Sequence, residues 1–454
     1  MNRRILSLAL ILLAHSFLCR GASAQLHVAP GVLASQSNAT ASATSLNLTL
    51  QDAQKLAIQN HPQLQAAGFL AVQAKAQVTE ARSDYYPHAY GSVTGVEAEN
   101  NSRIAAGSLT NSLILDRFAD GVTVQQLVTD FGRTHELVKS SELRAKAQEE
   151  NVITTRADLL LQVNAAYYNA LKAQAVLQVA QVTVKDRQLV SDQITELEKN
   201  QLKSGLDVSF ANVNLSQAQL LLVQAQNDVQ TAFAELSYAL GFADQRSFQL
   251  SEEPLPSEPP SSLTDLIAQA MRDRPEIISQ QFDVNSSQSY ATAERDLWFP
   301  TISAVGTAGL VPIRGETTDN TTLAPRYAAG GFNVNIPIFN GRQFNALHAE
   351  AKAQANAQGQ YLRDLQNGIV RDVRKAWLNA NSGYQRLTVT QQLLDEANQA
   401  LDLAQQRYKL GLSSIIELSQ AELNATQAQI TQTSSKYDYA AEISALNYQI
   451  GSLQ

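Results

Sequence analysis

The 454-residue sequence predicts a mainly α fold with a smaller β part, either strands pooled into a membrane β-barrel or a soluble sheet: one unit written twice, each copy holding two strands and a long coiled-coil helical hairpin. Three observations carry this. Five landmarks recur in the same order at offsets of 206–213 residues. Apolar residues keep a seven-residue spacing through segments far longer than a globular helix. Four windows between the helices have the length of tilted spanning strands, about 11–14 residues.

The landmarks are short but ordered. Asn60-His61-Pro62 is answered by Asp273-Arg274-Pro275, and Tyr85-Tyr86-Pro87 by Trp298-Phe299-Pro300. Phe131-Gly132-Arg133 pairs with Asn340-Gly341-Arg342, and Lys203-Ser204-Gly205-Leu206 with Lys409-Leu410-Gly411-Leu412. Tyr238-Ala239-Leu240-Gly241 pairs with Tyr448-Gln449-Ile450-Gly451. A period this long marks a duplicated half, since solenoid repeats are several times shorter.

Taken in order, residues 1–24 read as a secretory leader: Arg3 and Arg4, an apolar run from Ile5 to Ala14, and Ala22-Ser23-Ala24, with cleavage between Ala24 and Gln25. The single cysteine, Cys19, follows Leu18, where lipid attachment favours a small residue, so lipidation is not the expected fate. A polar segment, 25–47, leads into the first repeat, 48–241, with strands at about 87–130 and a hairpin at about 132–240. The Pro-rich linker 242–261 (Pro254, Pro256, Pro259, Pro260) joins it to the second repeat, 262–454, with strands at about 300–339 and a hairpin at about 341–450.

Each repeat opens with a short helix (about 48–60 and 262–273), stopped by the proline that follows its end. A second helix runs to Tyr85 or Leu297. The strand windows are Pro87–Asn100, Phe118–Asp130, Pro300–Arg314 and Tyr327–Phe339. The last alternates best: Ala328, Gly330, Phe332, Val334, Ile336 and Ile338 against Ala329, Gly331, Asn333, Asn335 and Pro337. One face is apolar and the other small or polar, which suits lipid outside and water inside, or equally a soluble sheet with one buried face. Polar stretches at 99–117 (Asn100, Asn101, Asn111) and 314–326 (Asp319, Asn320) read as loops. Tyr85, Tyr86, Trp298 and Phe299 fall where helix gives way to strand, the place of an interfacial aromatic belt.

In the long helices, Val163, Ala170, Leu177 and Val184 are seven apart, as are Leu215, Leu222, Val229 and Leu236. So are Ile416, Leu423, Ile430 and Tyr437, while Ile369, Val373, Ala376, Ala380, Leu387, Leu394, Leu401 and Tyr408 keep 3-4 spacing. The chain turns back at Gly205 and Gly411, residues suited to the left-handed backbone that ends a helix. Four strands cannot close a barrel, and lipid does not tolerate an open edge. Two copies would pool eight strands and three would pool twelve.

Composition narrows function. A net charge of -8 with no basic block argues against nucleic acid as a partner. One cysteine excludes a disulfide framework and a multi-thiolate metal site. Six scattered histidines form no metal-binding pair, and His61, before Pro62, reads as a helix cap. No nucleophile elbow, phosphate loop or dinucleotide fingerprint occurs, so the sequence reads as neither an enzyme nor a cofactor binder. Tyr167, Tyr168 and Trp377 read as packing.

The leader, the two halves, the paired strands between long helices and the Tyr408-Lys409-Leu410-Gly411-Leu412 tip together resemble the TolC-like outer-membrane efflux proteins, over about Leu48–Leu453. The resemblance implies a homotrimer in the outer membrane of a Gram-negative bacterium, with a twelve-stranded barrel and a periplasmic α-helical tunnel closed at its inner end. It implies a passive duct for small molecules, fed by a periplasmic adaptor and an inner-membrane pump. Adaptor contacts would fall at Gly205, Leu206, Gly411 and Leu412. The family's gate acids would fall at Glu417 and Gln420; the second is neutral here, and Glu417 in a trimer would ring the pore with three carboxylates. Tyr408 is placed to hydrogen-bond a neighbour at the gate, while the Arg–Asp latch of some relatives falls on Ser413 and Ala211 and is absent. A type I protein-secretion duct would look alike, and a soluble periplasmic coiled-coil scaffold is the alternative from another class.

Overall fold

The computed structural model describes residues 46–97, 103–106, 109–113, 117–314 and 326–453, all in one compact unit. In chain order the elements are β1 (Leu46–Leu48), α1 (Leu50–Asn60), α2 (Pro62–Ser83), β2 (His88–Val96), β3 (Arg103–Ala106), β4 (Leu109–Leu113), β5 (Arg117–Thr129), α3 (Arg133–Lys199), α4 (Gly205–Ala239) and β6 (Phe248–Leu250). The second half adds α5 (Leu263–Asp273), α6 (Pro275–Arg295), a 3-10 turn (Asp296–Trp298), β7 (Thr301–Arg314), β8 (Arg326–Asn335), α7 (Gln343–Lys409) and α8 (Ile415–Gln449). The expected leader with its cut at Ala24 and Gln25 lies outside the described residues, as do Asn100, Asn101, Asp319 and Asn320.

The two halves match closely. α3 and α7 are each 67 residues long, about 100 Å, and α4 and α8 are each 35. Arg133 to Gln343 and Gly205 to Ile415 are the same shift of 210 residues. This corrects two landmark pairings made on like letters. Phe131 and Gly132 correspond to Gly341 and Arg342, all four with left-handed backbone (φ 58°, 112°, 62° and 70°). At the tips, Gln201-Leu202 and not Gly205-Leu206 corresponds to Gly411-Leu412. Backbone conformation is what the duplication preserved.

Local signals behave as the sequence requires. Thr49 caps α1 and Ser262 caps α5. His61 Nδ1 accepts from the Gln63 N–H at 3.3 Å, capping α2. The first and last landmarks of each half meet in space: Gly241 (φ 80°) seats on the backbone of Asn60 and His61, and Gly451 (φ 76°) on that of Asp273 and Arg274.

α3 packs on α2 and α6 in its N-terminal part, and on α4 and α8 beyond. α7 likewise packs on α6 and then on α8. At the changeover each half has its own core: Leu48, Val163, Tyr167, Leu236 and Phe248 in one, Leu266, Ile277, Ile369, Val373 and Leu446 in the other. Val163, Ala170, Ile369, Val373, Ala376, Ala380 and Tyr408 are buried as their spacing predicts, with Leu387, Leu394 and Leu401 half-buried. In α8 the seam lies one position over: Ile415, Leu418, Glu422 and Ala425 are buried, whereas Ile416 and Leu423 are exposed. Each long helix carries a second apolar stripe, and sequence spacing alone does not say which one faces its partner.

β2-β5-β7-β8 form one antiparallel sheet. Pro312, which has no N–H to give, falls at a register shift between β5 and β7. β8 stops at Asn335, short of Phe339, because Pro337 cannot continue the ladder. The expected loop at 99–117 contains the β3–β4 hairpin, with Asn111 in β4. The polar N-terminal segment and the Pro-rich linker are not plain connectors either, since β1 and β6 pair in parallel. Aromatic side chains tie that linker down: Tyr167 donates to the Leu48 and Ser251 carbonyls (3.0 and 2.7 Å), Tyr439 to Ser257 (2.5 Å) and Trp377 to Pro260 (2.8 Å). These residues bond as well as pack.

Burial pushes the Tyr167 phenol up to about 12 from 10.0. Its contribution to stability is therefore complete below pH 10 and lost as pH rises through about 12. Tyr167→Phe removes one hydroxyl donor shared by two carbonyls, of which Leu48 O keeps the Ser251 N–H at 3.1 Å, and should cost about 1 kcal/mol in a denaturant titration followed by helical circular dichroism.

Candidate functional site

The sheet is two-faced through register, not only along one strand. One face presents Ala89, Gly91 and Val93 of β2, Val122 and Val124 of β5, Ala304, Gly306, Ala308 and Leu310 of β7, and Ala328, Gly330, Phe332 and Val334 of β8. The other presents Tyr90, Ser92 and Thr94, Thr123 and Gln125, Ser303 and Thr307, and Asn333 and Asn335. Asp120, Gln126 and Arg326 interrupt the apolar face near its ends, and Leu127 and Val305 fall on the polar one; Gln126 donates to the Tyr85 carbonyl at 3.0 Å. Thr123 and Thr307 hydroxyls meet at 3.3 Å on the polar face. β2 and β8 are the outer strands, each paired on one side only among the described residues.

Tyr85, Tyr86, Trp298 and Phe299 lie, exposed, where the helices hand over to this sheet. The sequence reading missed Phe131, 6.1 Å from the Phe299 ring, and exposed Phe339. Both stand beside the Gly-Arg landmarks, so the signal was present. The polar face runs into a recess lined by Asp84, His88, Asp130, Arg133 and Asp296. Among the described residues no three His, Cys, Asp or Glu side chains converge on a metal position.

At the opposite end of the long helices are the hairpin tips. Gly411 takes the left-handed turn as expected (φ 71°). Gly205 does not; Gln201 does (φ 57°), and Gly205 is the first residue of α4 behind a Ser204–Asp207 capping box. The matching hydrogen bonds confirm the correspondence: Leu202 N–H to Leu197 O at 2.9 Å, and Leu412 N–H to Arg407 O at 2.8 Å. Leu202 and Leu412 are 69 % and 67 % exposed, and Leu206, Leu410 and Ile416 extend the same apolar tip surface.

Glu417 is half exposed and pairs with Arg407 across its own hairpin at 3.1 Å, a partner the sequence reading did not consider. Gln420 donates to Asn424 at 2.9 Å. Tyr408 is buried with Ile194, Ala211, Ile415 and Leu418, in a cluster built from both hairpins. Its hydroxyl has no partner among the described residues of the chain, and the Lys203 ammonium lies 3.9 Å from its ring centroid. Burial, with Asp207 nearby, pushes its phenol up. Ala211 is packed in the cluster, and the Ser413 hydroxyl is likewise unpartnered.

The hairpins are joined at several levels: Asn164 to Ser444 (2.7 Å), Lys172 to Asp438 (2.9 Å), Asn214 to Ser419 (2.7 Å), and the buried pair Arg187–Glu422. Burial holds the Glu422 carboxyl above its usual range against the pull of Arg187. Neither residue gave a sequence signal, since they sit on different halves. α4 and α7 flank this layer and expose apolar residues outward, Leu206, Val213, Leu220 and Val223 on one and Leu378, Val389, Leu393 and Leu403 on the other. No helix among the described residues is long and apolar enough to cross a membrane.

Comparison with known proteins follows this architecture. The family model described as outer membrane efflux protein matches residues 53–242 and 266–452, one match per repeat. Outer membrane efflux protein BepC of Brucella suis biovar 1 is 23% identical over 332 residues, 72% of this chain and 70% of that protein. TolC of Escherichia coli K12 is 21% identical over 393 residues, covering 84% and 77%. Cation efflux system protein CusC of the same strain is 24% identical over 410 residues, covering 86% and 83%. Among solved structures, a CusC chain superposes with a TM-score of 0.78 at 18% identity, covering 90% of this chain and 93% of that one. The Campylobacter jejuni CmeC outer membrane channel gives 0.73 at 19% identity, covering 89% and 85%. At these identities the superpositions establish the fold.

The tip geometry makes an asymmetric prediction. Gly411→Ala forces an alanine into the left-handed region and should lower stability by about 1–2 kcal/mol. Gln201→Gly, at the equivalent position, should not lower it. Denaturant titrations of the two variants read the difference, and equal losses would contradict the correspondence.

Proposed function

The chain belongs to the outer membrane efflux protein family, and on that footing we propose that it is the exit duct of a tripartite efflux system, a homotrimer passing small molecules from a periplasmic adaptor and inner-membrane pump to the exterior. The observation that carries the proposal is that, among the described residues, both layers end in unpartnered edges: β2 and β8 in the sheet, α4 and α7 in the helices. Within lipid each unpaired backbone group costs several kcal/mol, so strands of neighbouring copies must close the ring. Three copies pool twelve strands, with the alanine, valine and glycine face toward lipid and the serine, threonine and asparagine face toward a water-filled lumen. Tyr85, Tyr86, Trp298 and Phe299 then sit at the periplasmic interface of the membrane.

The tips supply the rest of the reading. Leu206 and Leu412, beside Gly205 and Gly411, form with Leu202 and Leu410 an exposed apolar surface at the periplasmic end. A surface of this kind, with Lys203 and Lys409 beside its leucines, suits packing against a helical hairpin of an adaptor. Glu417, one turn further on, faces the proposed gate together with Gln420, while Tyr408 secures the tip core. Because Arg407 pairs with Glu417, the ring formed by three copies carries balanced charge, and the gate selects cations less than three bare carboxylates would.

In planar bilayers the purified protein should conduct ions with little selectivity. Arg407→Ala should shift the reversal potential toward that of potassium, and Glu417→Ala toward that of chloride. Absence of conductance from folded, inserted protein would overturn the duct. Conductance with both variants unchanged would remove Glu417 from the gate and leave the duct standing.

A further inference from the structure

The seam between the two hairpins is weakly specified over one stretch. Between Ala180 and Ser191, α3 buries no side chain fully. Beside it α8 brings Ser419, Leu423, Thr426 and Ile430, which line a recess together with Thr183 and Arg187. With so little buried on α3 here, sliding the helices by a turn changes little in what is covered, and a buried polar residue is what usually fixes axial register. Into this stretch the fold sets Arg187 and Glu422, with side chains only 11 % and 3 % exposed, ion-paired across the hairpins. Arg187 also reaches the Thr426 hydroxyl at 3.4 Å.

We propose that Arg187 and Glu422 are positioning residues that set the axial register of the two hairpins, and so hold the turns at Gln201-Leu202 and Gly411-Leu412 in a fixed relation. A slip of one turn, about 5.4 Å, would part the buried Glu422 carboxylate from the Arg187 guanidinium, a cost that the native register avoids. The other polar links discriminate less. Lys172 and Asp438 are each about one-third or more exposed, and such pairs are readily replaced by water. Asn214–Ser419 and the buried Asn164–Ser444 are uncharged and lose less when parted. The inference concerns the chain's own helices and holds whether or not the protein conducts.

The test is a distance measurement. Nitroxide labels at Leu202→Cys and Leu412→Cys, in full-length chain diluted into unlabelled chain, report the separation of the two tips by pulsed electron paramagnetic resonance. The native background should give one narrow distribution. Arg187→Met with Glu422→Leu should remain folded and give a broadened distribution or a second one displaced by about a turn. Arg187→Glu with Glu422→Arg should restore the narrow one. If the apolar double variant does not fold, Arg187→Gln with Glu422→Gln takes its place with the same expectation. A narrow, native-like distribution in the folded neutral variant would overturn the proposal, as would a folded charge swap that stays broad.

Discussion

A strand edge has backbone donors and acceptors that something must satisfy, and this chain presents two of them. β2 and β8 bound a sheet of four strands, too few to curl into a closed barrel within one copy. The same incompleteness continues in the helices, where α4 and α7 turn leucines and valines outward on either side of a joined pair of hairpins. On the proposed reading the chain is a fraction of a ring. The two-faced register of the sheet supplies the reason for the ring: apolar groups on one side, hydroxyls and amides on the other, repeated across all four strands.

The helices solve a different problem, that of long elements with neighbours on more than one side. Their innermost stripe is small and partly polar (Gly383, Thr390, Ala397 and Ala404 on α7; Ala425, Ala428 and Ser435 on α8), which lets the helices of a hairpin approach closely. The larger side chains are left for other faces. Close alanine packing gives area but little discrimination among registers, and buried polar contacts are what add discrimination. The waist is held differently, by Tyr167, Tyr439 and Trp377 anchoring the linker to the cores of the two halves.

Much of this was legible in the sequence. The duplication, the helix ends at Pro62 and Pro275, the four strand windows and the His61 cap each rest on a local signal. What was not legible follows a pattern. Seven-residue spacing finds stripes but does not rank them, so Ile416 and Leu423 were taken for the seam that Ile415 and Glu422 occupy. Like letters misaligned the tips, because a glutamine can take the left-handed position that its counterpart fills with glycine. Arg407 beside Glu417, and Arg187 beside Glu422, are pairings between helices that only the folded chain brings together. The short strands β1, β3, β4 and β6, three to five residues each, lie below what alternation can reveal.

The account depends on several copies sharing one barrel. The most direct measurement is the detergent-corrected mass of the protein extracted from the outer-membrane fraction. A mass of three chains is the result the account predicts. A single chain recovered from the soluble periplasmic fraction would contradict it, and the duplicated hairpins would then need another partner for their apolar flanks.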